Sequence, residues 1–224
     1  MIQPVNQLLS TMEYAIFDLD GTILDSMPIW RNLGNTVLHS LGIIPDDDLN
    51  KRFKTMTLTQ SSQFLVNEYH LPMTAEELKQ LFTDTVTEGY EHQAELKPYA
   101  KEFLEILKRK KVTMCIATAS ETALAKPALL RNGVFSCFSF LLTCSEIQKS
   151  KETPDIYLEA MRRMGGNVTN TVVFEDSYFS ILAAKKAGLS VIALADDAAK
   201  AEAAQIQSVA DYYCQSFGEL LEQC

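Results

Sequence analysis

The chain has 224 residues, a net charge of −9 at pH 7, an apolar fraction of 47% and a charged fraction of 22%. This length suits one large domain or two small ones, and the acidic composition argues against binding nucleic acids. No apolar run reaches the roughly 18 residues that cross a bilayer, and Met1–Thr11 lacks the features of a secretory signal. Five cysteines without C-x-x-C spacing predict neither a disulfide framework nor a zinc site, so we expect a cytoplasmic protein.

The first predicted element is a short buried strand, Tyr14–Phe17, which runs directly into Asp18-Leu-Asp20-Gly-Thr22. Side chains two residues apart on a strand point to the same side, so Asp18 and Asp20 should enter one cleft. A β-hairpin with an Asp-Gly turn is the alternative. It is disfavoured because the residues that follow make a poor returning strand and then a helical pattern.

A helical stretch without strand patterns follows. Pro28 suits a first helical turn, and the apolar stripe that follows ends at Gly42. Thr74–Glu77 is a capping box that opens another helix. We therefore predict an α/β core of residues 1–26 and 97–224, with residues 27–96 inserted as an all-helical cap. Such an insertion belongs above the carboxyl ends of the strands, where it could act as a lid.

Strand and helix patterns alternate over the remainder of the chain. The predicted elements, in order, are the helix Tyr99–Lys110, the strands Val112–Ala117 and Phe138–Leu142, the helix Pro154–Met164, the strand Thr171–Phe174, the helix Phe179–Ala187 and the strand Val191–Leu194. This alternation predicts an α/β fold with a Rossmann-like parallel sheet that is covered on both faces.

Polar residues stand near the ends of these later strands. Thr118-Ala119-Ser120 offers hydroxyls and backbone N–H groups, Lys151 precedes a helix start, and Glu175 and Asp176 follow a strand. Each feature has an ordinary explanation when it is taken alone, as a helix cap or as a solvated lysine. Because parallel strands end at one edge of a sheet, however, these groups should meet Asp18 there.

Carboxylates that gather in one cleft repel each other strongly. A pair at 4 Å costs about 4 kcal/mol at an effective dielectric near 20, and a bound phosphate adds to the repulsion. Mg²⁺ prefers oxygen ligands and often binds substrate phosphates, so it suits this cluster. We expect Mg²⁺ and Lys151 to supply the positive charge.

In this order the motifs resemble those of the haloacid dehalogenase-like superfamily. Asp18-Leu-Asp20-Gly-Thr22 matches the first motif, Thr118 the second, Lys151 with Pro154-Asp155 the third, and Glu175-Asp176-Ser177 with the alanines and glycine of the next helix the fourth. The match covers nearly the whole chain. The resemblance implies a Rossmann-like core with a helical cap inserted after the first motif.

The resemblance also implies roles for the matched residues. Asp18 would attack phosphorus and form an aspartyl phosphate, and Asp20 would act as the general acid and base. Phosphoryl oxygens would be held by Thr118, the amide of Ala119 and Lys151. The expected Mg²⁺ ligands are Asp18, the backbone carbonyl of Asp20, and Asp176 with help from Glu175.

The predicted function is Mg²⁺-dependent hydrolysis of a small phosphorylated metabolite, such as a sugar phosphate. Asp20 favours phosphoryl chemistry, because the dehalogenases of the superfamily lack this second acidic residue. A phosphomutase of the β-phosphoglucomutase type is one alternative. Those relatives carry a cap His and a cap Arg where this chain has Trp30 and, in an ungapped alignment, Leu58. A binding protein without turnover on the same fold is the other alternative.

Overall fold

The computed structural model describes residues 5–53, 56 and 58–223. The strands are β1 Tyr14–Phe17, β2 Thr113–Thr118, β3 Leu141–Thr143, β4 Thr171–Glu175, β5 Ser190–Leu194 and β6 Tyr212–Cys214. The helices are α1 Val5–Thr11, α2 Met27–Ser40, α3 Leu49–Phe53, α4 Leu58–Glu68, α5 Ala75–His92, α6 Ala100–Arg109, α7 Thr122–Arg131, α8 Cys144–Ile147, α9 Asp155–Met164, α10 Tyr178–Lys186, α11 Ala203–Val209 and α12 Phe217–Leu221. Short 3-10 turns occupy Phe135–Cys137 and Asp197–Glu202.

Within the described residues, six parallel strands form one sheet in the order β3-β2-β1-β4-β5-β6. The prediction of a Rossmann-like parallel sheet with flanking helices is confirmed. The sheet is doubly wound. Starting from β1, the chain adds β2 and β3 on one side and β4, β5 and β6 on the other, so the order of the strands reverses between β1 and β4. Phe17 lies level with Ile116 of β2 and Phe174 of β4. The residues that follow these three strands therefore reach the same edge of the sheet.

Aromatic packing holds one face of the sheet against helices. The rings of Phe17 and Phe174 stack with centroids 4.3 Å apart, and Phe103 of α6 meets Phe174 edge-on at 5.6 Å. Phe217 of α12 lies 5.3 Å from Phe103. All four rings are completely buried. Burial of each ring contributes roughly 1.5–3 kcal/mol, so this aromatic layer stabilises the packing of β1 and β4 against the helices.

The opposite face is covered by α9 and α10. Neighbouring residues on a strand point to opposite faces, so Ile16 packs away from the aromatic layer. It belongs to an aliphatic cluster whose buried members include Val173, Ile156, Ala160, Ile181 and Ala184. Gly165 and Gly188 end α9 and α10 with positive φ of 80°, as their place in the sequence predicts.

Two edge strands differ from the sequence prediction. β3 begins at Leu141 instead of Phe138, because the chain first makes the 3-10 turn Phe135–Cys137. The N–H of Ser139 nevertheless donates to the carbonyl of Met114 in β2 at 2.8 Å. β6, at Tyr212–Cys214, was not predicted. It has three residues, two of them half-buried, and gives no clear apolar run.

The chain divides into two compact units, residues 1–25 with 95–224 and residues 26–94. Two segments of the first unit flank the insertion, and they are hydrogen-bonded to each other. The N–H of Asp25 donates to the carbonyl of Glu95 at 2.9 Å, and that of Lys97 donates to the carbonyl of Ile23 at 2.8 Å. Leu24 and Leu96 form an antiparallel bridge between them. The chain therefore leaves and re-enters the α/β unit at one place.

The second unit is helical, and α5 packs against both α2 and α4. Its buried side chains include Leu33, Val37, Leu38, Leu65, Leu78, Phe82 and Tyr90. Thr74 caps α5 with both arms of the predicted capping box. Trp30 donates from Nε1 to the hydroxyl of Tyr90 at 2.8 Å. Tyr90 is completely buried, so packing within this unit accounts for it.

None of the described helices is long and apolar enough to cross a membrane. In the described part of the chain, Cys115, Cys137, Cys144 and Cys214 are free thiols. Cys115 is completely buried, as the apolar strand around it predicts, and burial raises the pKa of its thiol. Residues 1–4 and Cys224 lie outside the described residues. The first four residues of the N-terminal segment Met1–Thr11 are therefore not described.

Candidate active site

A tight loop follows β1 and carries the first motif. The N–H of Asp18 donates to the carbonyl of Phe174 at 2.9 Å, which ties the loop to β4. Within the loop, Gly21 donates to the carbonyl of Leu24 at 2.9 Å. Gly21 has a φ of +82°, and a Cβ there would lie 2.4 Å from Oδ2 of Asp176. Glycine is therefore required both by the turn and by the close approach of a carboxylate from the neighbouring strand.

Lys151 joins two carboxylates at the buried centre of the site. Its Nζ lies 2.5 Å from Oδ1 of Asp18 and also pairs with Oε1 of Glu175. At most 7% of the surface of any of these three residues is exposed. The sequence left open that Lys151 is a solvated surface lysine, and its burial excludes that interpretation.

Glu175 is satisfied on both of its carboxylate oxygens. The hydroxyl of Tyr157, on α9, donates to Oε1 at 2.9 Å. On the other side, Oε2 accepts from the backbone N–H groups of Asp176 at 3.0 Å and Ser177 at 3.2 Å. Glu175 thus binds the ammonium of Lys151 and also fixes the backbone that carries Asp176.

Asp176 is oriented by the first motif. The hydroxyl of Thr22 donates to Oδ1 of Asp176 at 3.0 Å, and both residues are buried. Ligand oxygens of Asp18, Glu175 and Asp176 lie within 4.8 Å of one another. The structure therefore brings the predicted nucleophile together with both acidic residues of the fourth motif.

Asp20 contacts the loop that follows β2. Its Oδ2 accepts from the hydroxyl of Ser120 at 2.5 Å, and the N–H of Ser120 donates to Oγ1 of Thr118 at 2.9 Å. Thr118 is completely buried at the end of β2, whereas Ala119 is exposed. The loop after β2 therefore links the predicted acid–base residue to the predicted phosphate-binding residues.

Burial dominates the electrostatics of the cluster. It raises the pKa of Asp18 to about 7, with a further increase from Glu175 that Lys151 only partly offsets. Burial and Glu175 likewise raise the pKa of Asp176 well above its ordinary value. Burial by itself would lower the pKa of Lys151, but Asp18 and Glu175 raise it well above 10.5. Lys151 is therefore protonated, but its single positive charge does not compensate the negative charges of the carboxylates around it.

The cluster fits a hard divalent cation. Three buried carboxylates and one ammonium leave an excess of two negative charges when all are ionised, and a dication would balance that excess. Carboxylate oxygens suit Mg²⁺, Mn²⁺ or Ca²⁺ and not the softer metals. Because Glu175 already binds Lys151, Tyr157 and two amides, Asp18 and Asp176 are the better candidates for direct ligands.

The sequence alone does not predict the contacts of several residues that support the site. Thr22 and Ser120 lie within the motifs, yet the sequence does not show which carboxylate each one contacts. Tyr157 lies within the predicted helix Pro154–Met164, where its pattern indicates only a helical residue. Asp196, which follows β5, pairs with Lys97 at 2.5 Å, and its charge adds to the rise in the pKa of Asp176. All of these contacts depend on side-chain directions between distant segments.

The chain is similar to a known protein family and to several known proteins. The model of the family described as haloacid dehalogenase-like hydrolase matches residues 15–194. A probable pseudouridine-5'-phosphatase of Drosophila melanogaster is 30% identical over 95% of this chain and 96% of its own length. A phosphorylated carbohydrates phosphatase of Thermotoga maritima is 27% identical over 81% of this chain and 84% of its own length.

Solved structures give the same fold. A putative β-phosphoglucomutase from Thermotoga maritima aligns with a TM-score of 0.81 and 24% sequence identity, covering 91% of this chain and 94% of that one. At this identity the likeness shows a shared architecture and does not select a reaction.

Proposed function

Because the chain belongs to the haloacid dehalogenase-like hydrolase family, we propose that it is a Mg²⁺-dependent phosphatase that hydrolyses small sugar phosphates. The observation that carries the proposal is the buried contact between Asp18 and Lys151 within a cluster of carboxylates. This arrangement offers a nucleophilic carboxylate, a fixed positive charge and a cation-binding set at one edge of the sheet.

The activities named for similar proteins support the substrate class. Among the similar proteins are a probable pseudouridine-5'-phosphatase, a phosphorylated carbohydrates phosphatase and, at 28% identity, a fructose-1-phosphate phosphatase of Escherichia coli. These names share a phosphate monoester of a sugar or sugar-like alcohol. Small esters of this kind are therefore the first class to test.

In the proposed first half-reaction, a carboxylate oxygen of Asp18 attacks phosphorus. The new O–P bond forms while the bond from phosphorus to the leaving alcohol breaks, and Asp20 donates its proton to the leaving oxygen. In the second half, Asp20 accepts a proton from water while the water oxygen attacks phosphorus. The bond between Asp18 and phosphorus then breaks, and inorganic phosphate leaves.

The phosphoryl oxygens would be held by the Thr118 hydroxyl, the Ala119 amide and the Lys151 ammonium. An ammonium has three N–H donors, so Lys151 can contact two carboxylates and one phosphoryl oxygen at the same time. Asp18, the carbonyl of Asp20 and Asp176 would hold Mg²⁺, with Glu175 in support. When bound, Mg²⁺ supplies charge that stabilises the transferring phosphoryl group. A lid role for the helical unit stays a prediction.

A panel of phosphate monoesters tests the proposal. Phosphate release should require Mg²⁺, stop when EDTA is added, and resume when Mg²⁺ is restored. Activity that survives EDTA or the Asp18→Asn substitution would contradict the proposed reaction. A requirement for a bisphosphate activator, with an isomer as product, would instead identify a phosphomutase. Tight metabolite binding without phosphate release would identify a binding protein.

A further inference from the structure

The loop after β2 brings a serine hydroxyl onto the carboxylate that moves the proton in the proposed function. Ser120 and Asp20 are 100 residues apart in sequence, yet Oγ of Ser120 donates to Oδ2 of Asp20 at 2.5 Å. The backbone of Ser120 is fixed in turn, because its N–H donates to Oγ1 of the buried Thr118. One residue therefore links the phosphate-binding loop to the acid–base group.

We propose that Ser120 is a positioning residue that orients the carboxyl group of Asp20 for proton transfer to the leaving oxygen. This inference rests on the proposed function, since it assumes that Asp20 is the general acid. It goes further by identifying what holds that acid in place. Ser120 acts through Asp20 and is assigned no contact with the substrate.

The physical need for such a residue follows from the position of Asp20. Asp20 is half-buried in the loop beyond β1, and the terminal torsion of an aspartate has a broad energy well. A hydrogen bond from a hydroxyl holds a carboxyl oxygen in either protonation state, and it is roughly twice as strong when the carboxyl group is ionised as when it is neutral. Proton transfer needs heavy atoms within about 2.6–3.2 Å, so fixing one oxygen of the carboxyl group keeps the other within range.

The choice of leaving group distinguishes a positioning role of Ser120 from a role in phosphate binding or in folding. When the P–O bond of an alkyl phosphate breaks, the alkoxide that forms is a strong base, and the proton from Asp20 neutralises it. A p-nitrophenolate leaves readily without that proton. A misplaced Asp20 should therefore slow the alkyl ester far more than the aryl ester. Loss of a phosphate contact or of folded protein would slow both equally.

The experiment compares kcat/KM of Ser120→Ala for two substrates on one preparation. The substrates are p-nitrophenyl phosphate and the alkyl phosphate that the wild type hydrolyses fastest. The constant kcat/KM includes transfer to Asp18 and excludes the later hydrolysis, which both substrates share. We expect a loss of roughly 10- to 100-fold for the alkyl ester and less than about threefold for the aryl ester. The ratio of the two is independent of the fraction of protein that is folded.

Two further variants complete the test. Ser120→Thr keeps the hydroxyl and should restore most of the alkyl-ester activity. Ser145→Ala is the matched control, because Ser145 also donates to a carboxylate, that of Glu121 at 2.8 Å. Its substrate ratio should equal that of the wild type.

Equal losses for both substrates in Ser120→Ala would overturn the positioning role, as would a shifted ratio in Ser145→Ala. Failure of the proposed function looks different. In that case the wild type itself would release no phosphate from either ester in Mg²⁺.

Discussion

An ion pair on the surface of the helical unit contrasts with an ion pair that is buried in the α/β unit. In the helical unit, the ion pair between Lys79 and Glu76 spans 3.6 Å on the surface of α5. In the α/β unit, Lys151 is buried between Asp18 and Glu175. A surface pair contributes about 0–1 kcal/mol, whereas breaking a buried pair costs about 3–5 kcal/mol. This burial of charge supports the proposal that the active site lies at the edge of the sheet.

The largest expected effect on activity comes from Asp18→Asn. The amide keeps the size of the side chain but is a far weaker nucleophile, so phosphate release should fall by 10⁴-fold or more, on the order seen when other nucleophiles are removed. Steady-state assays with Mg²⁺ measure this loss. Glu68→Gln, at an exposed position of α4, is the control from the helical unit and should retain wild-type activity. A Glu68→Gln variant as inactive as Asp18→Asn would erase the contrast between the units.

The largest expected effect on stability comes from Lys151→Met. Removing the ammonium leaves Asp18 and Glu175 unpaired, so the free energy of unfolding should fall by about 3–5 kcal/mol. The folded-state pKa of Lys151 lies above its ordinary value of 10.5. Its contribution is therefore fully present below pH 10.5 and is lost only as the pH rises through the higher folded-state pKa.

Urea unfolding at pH 7 without metal measures the effect of Lys151→Met. Lys79→Met is the matched variant in the helical unit, and we expect it to change stability by less than about 1 kcal/mol. Similar losses for the two lysines would show that burial of the Lys151 pair does not matter to stability.

A smaller effect is expected for Thr22→Val. The substitution keeps the shape of the side chain and removes the hydrogen bond to Asp176. Partners that orient metal ligands typically contribute 10- to 100-fold in metal affinity, so the Mg²⁺ concentration for half-maximal activity should rise about tenfold or more. Mg²⁺ titration of the activity measures the change, and saturating Mg²⁺ should restore most of kcat. An unchanged Mg²⁺ requirement would argue against Asp176 as a ligand.

The smallest expected effect is that of Tyr157→Phe. It removes one hydrogen bond to Glu175, while Lys151 and two backbone amides still bind that carboxylate. The free energy of unfolding should fall by about 1–3 kcal/mol, and activity should remain measurable. Complete inactivation of a folded Tyr157→Phe enzyme would mean that the hydroxyl takes part more directly.

The sequence predicts the fold well where apolar runs are long and central. The runs that became β1, β4 and β5 lie in the middle of the sheet and are buried on both faces, so their composition alone indicates strands. β6 was missed because Tyr212–Cys214 is short and half-buried at an edge. α4 lies within the stretch that is predicted to be helical, but its bounds are not predicted, because the Thr- and Ser-rich start of Leu58–Glu68 has a weak helical pattern.

Within the site, the sequence predicts which residues meet but not how they contact each other. Asp18 and Asp176 converge because parallel strands end at one edge, and that follows from topology alone. Lys151 reaches them from the segment between α8 and α9. The contact between Thr22 and Asp176 spans 154 positions and depends on the tight turn at Gly21. The same holds for Asp20, whose contact with Ser120 depends on a side-chain rotamer that no sequence pattern encodes.

In the proposed reaction, Asp18 carries the phosphoryl group during turnover. Acid-quenching the enzyme during hydrolysis and reducing it with borohydride converts a phosphorylated aspartate into homoserine, which peptide mass spectrometry locates. We expect homoserine at position 18 only when substrate and Mg²⁺ are both present. Steady phosphate release without modification at position 18, or with the modification at Asp20 or Asp176, would contradict it.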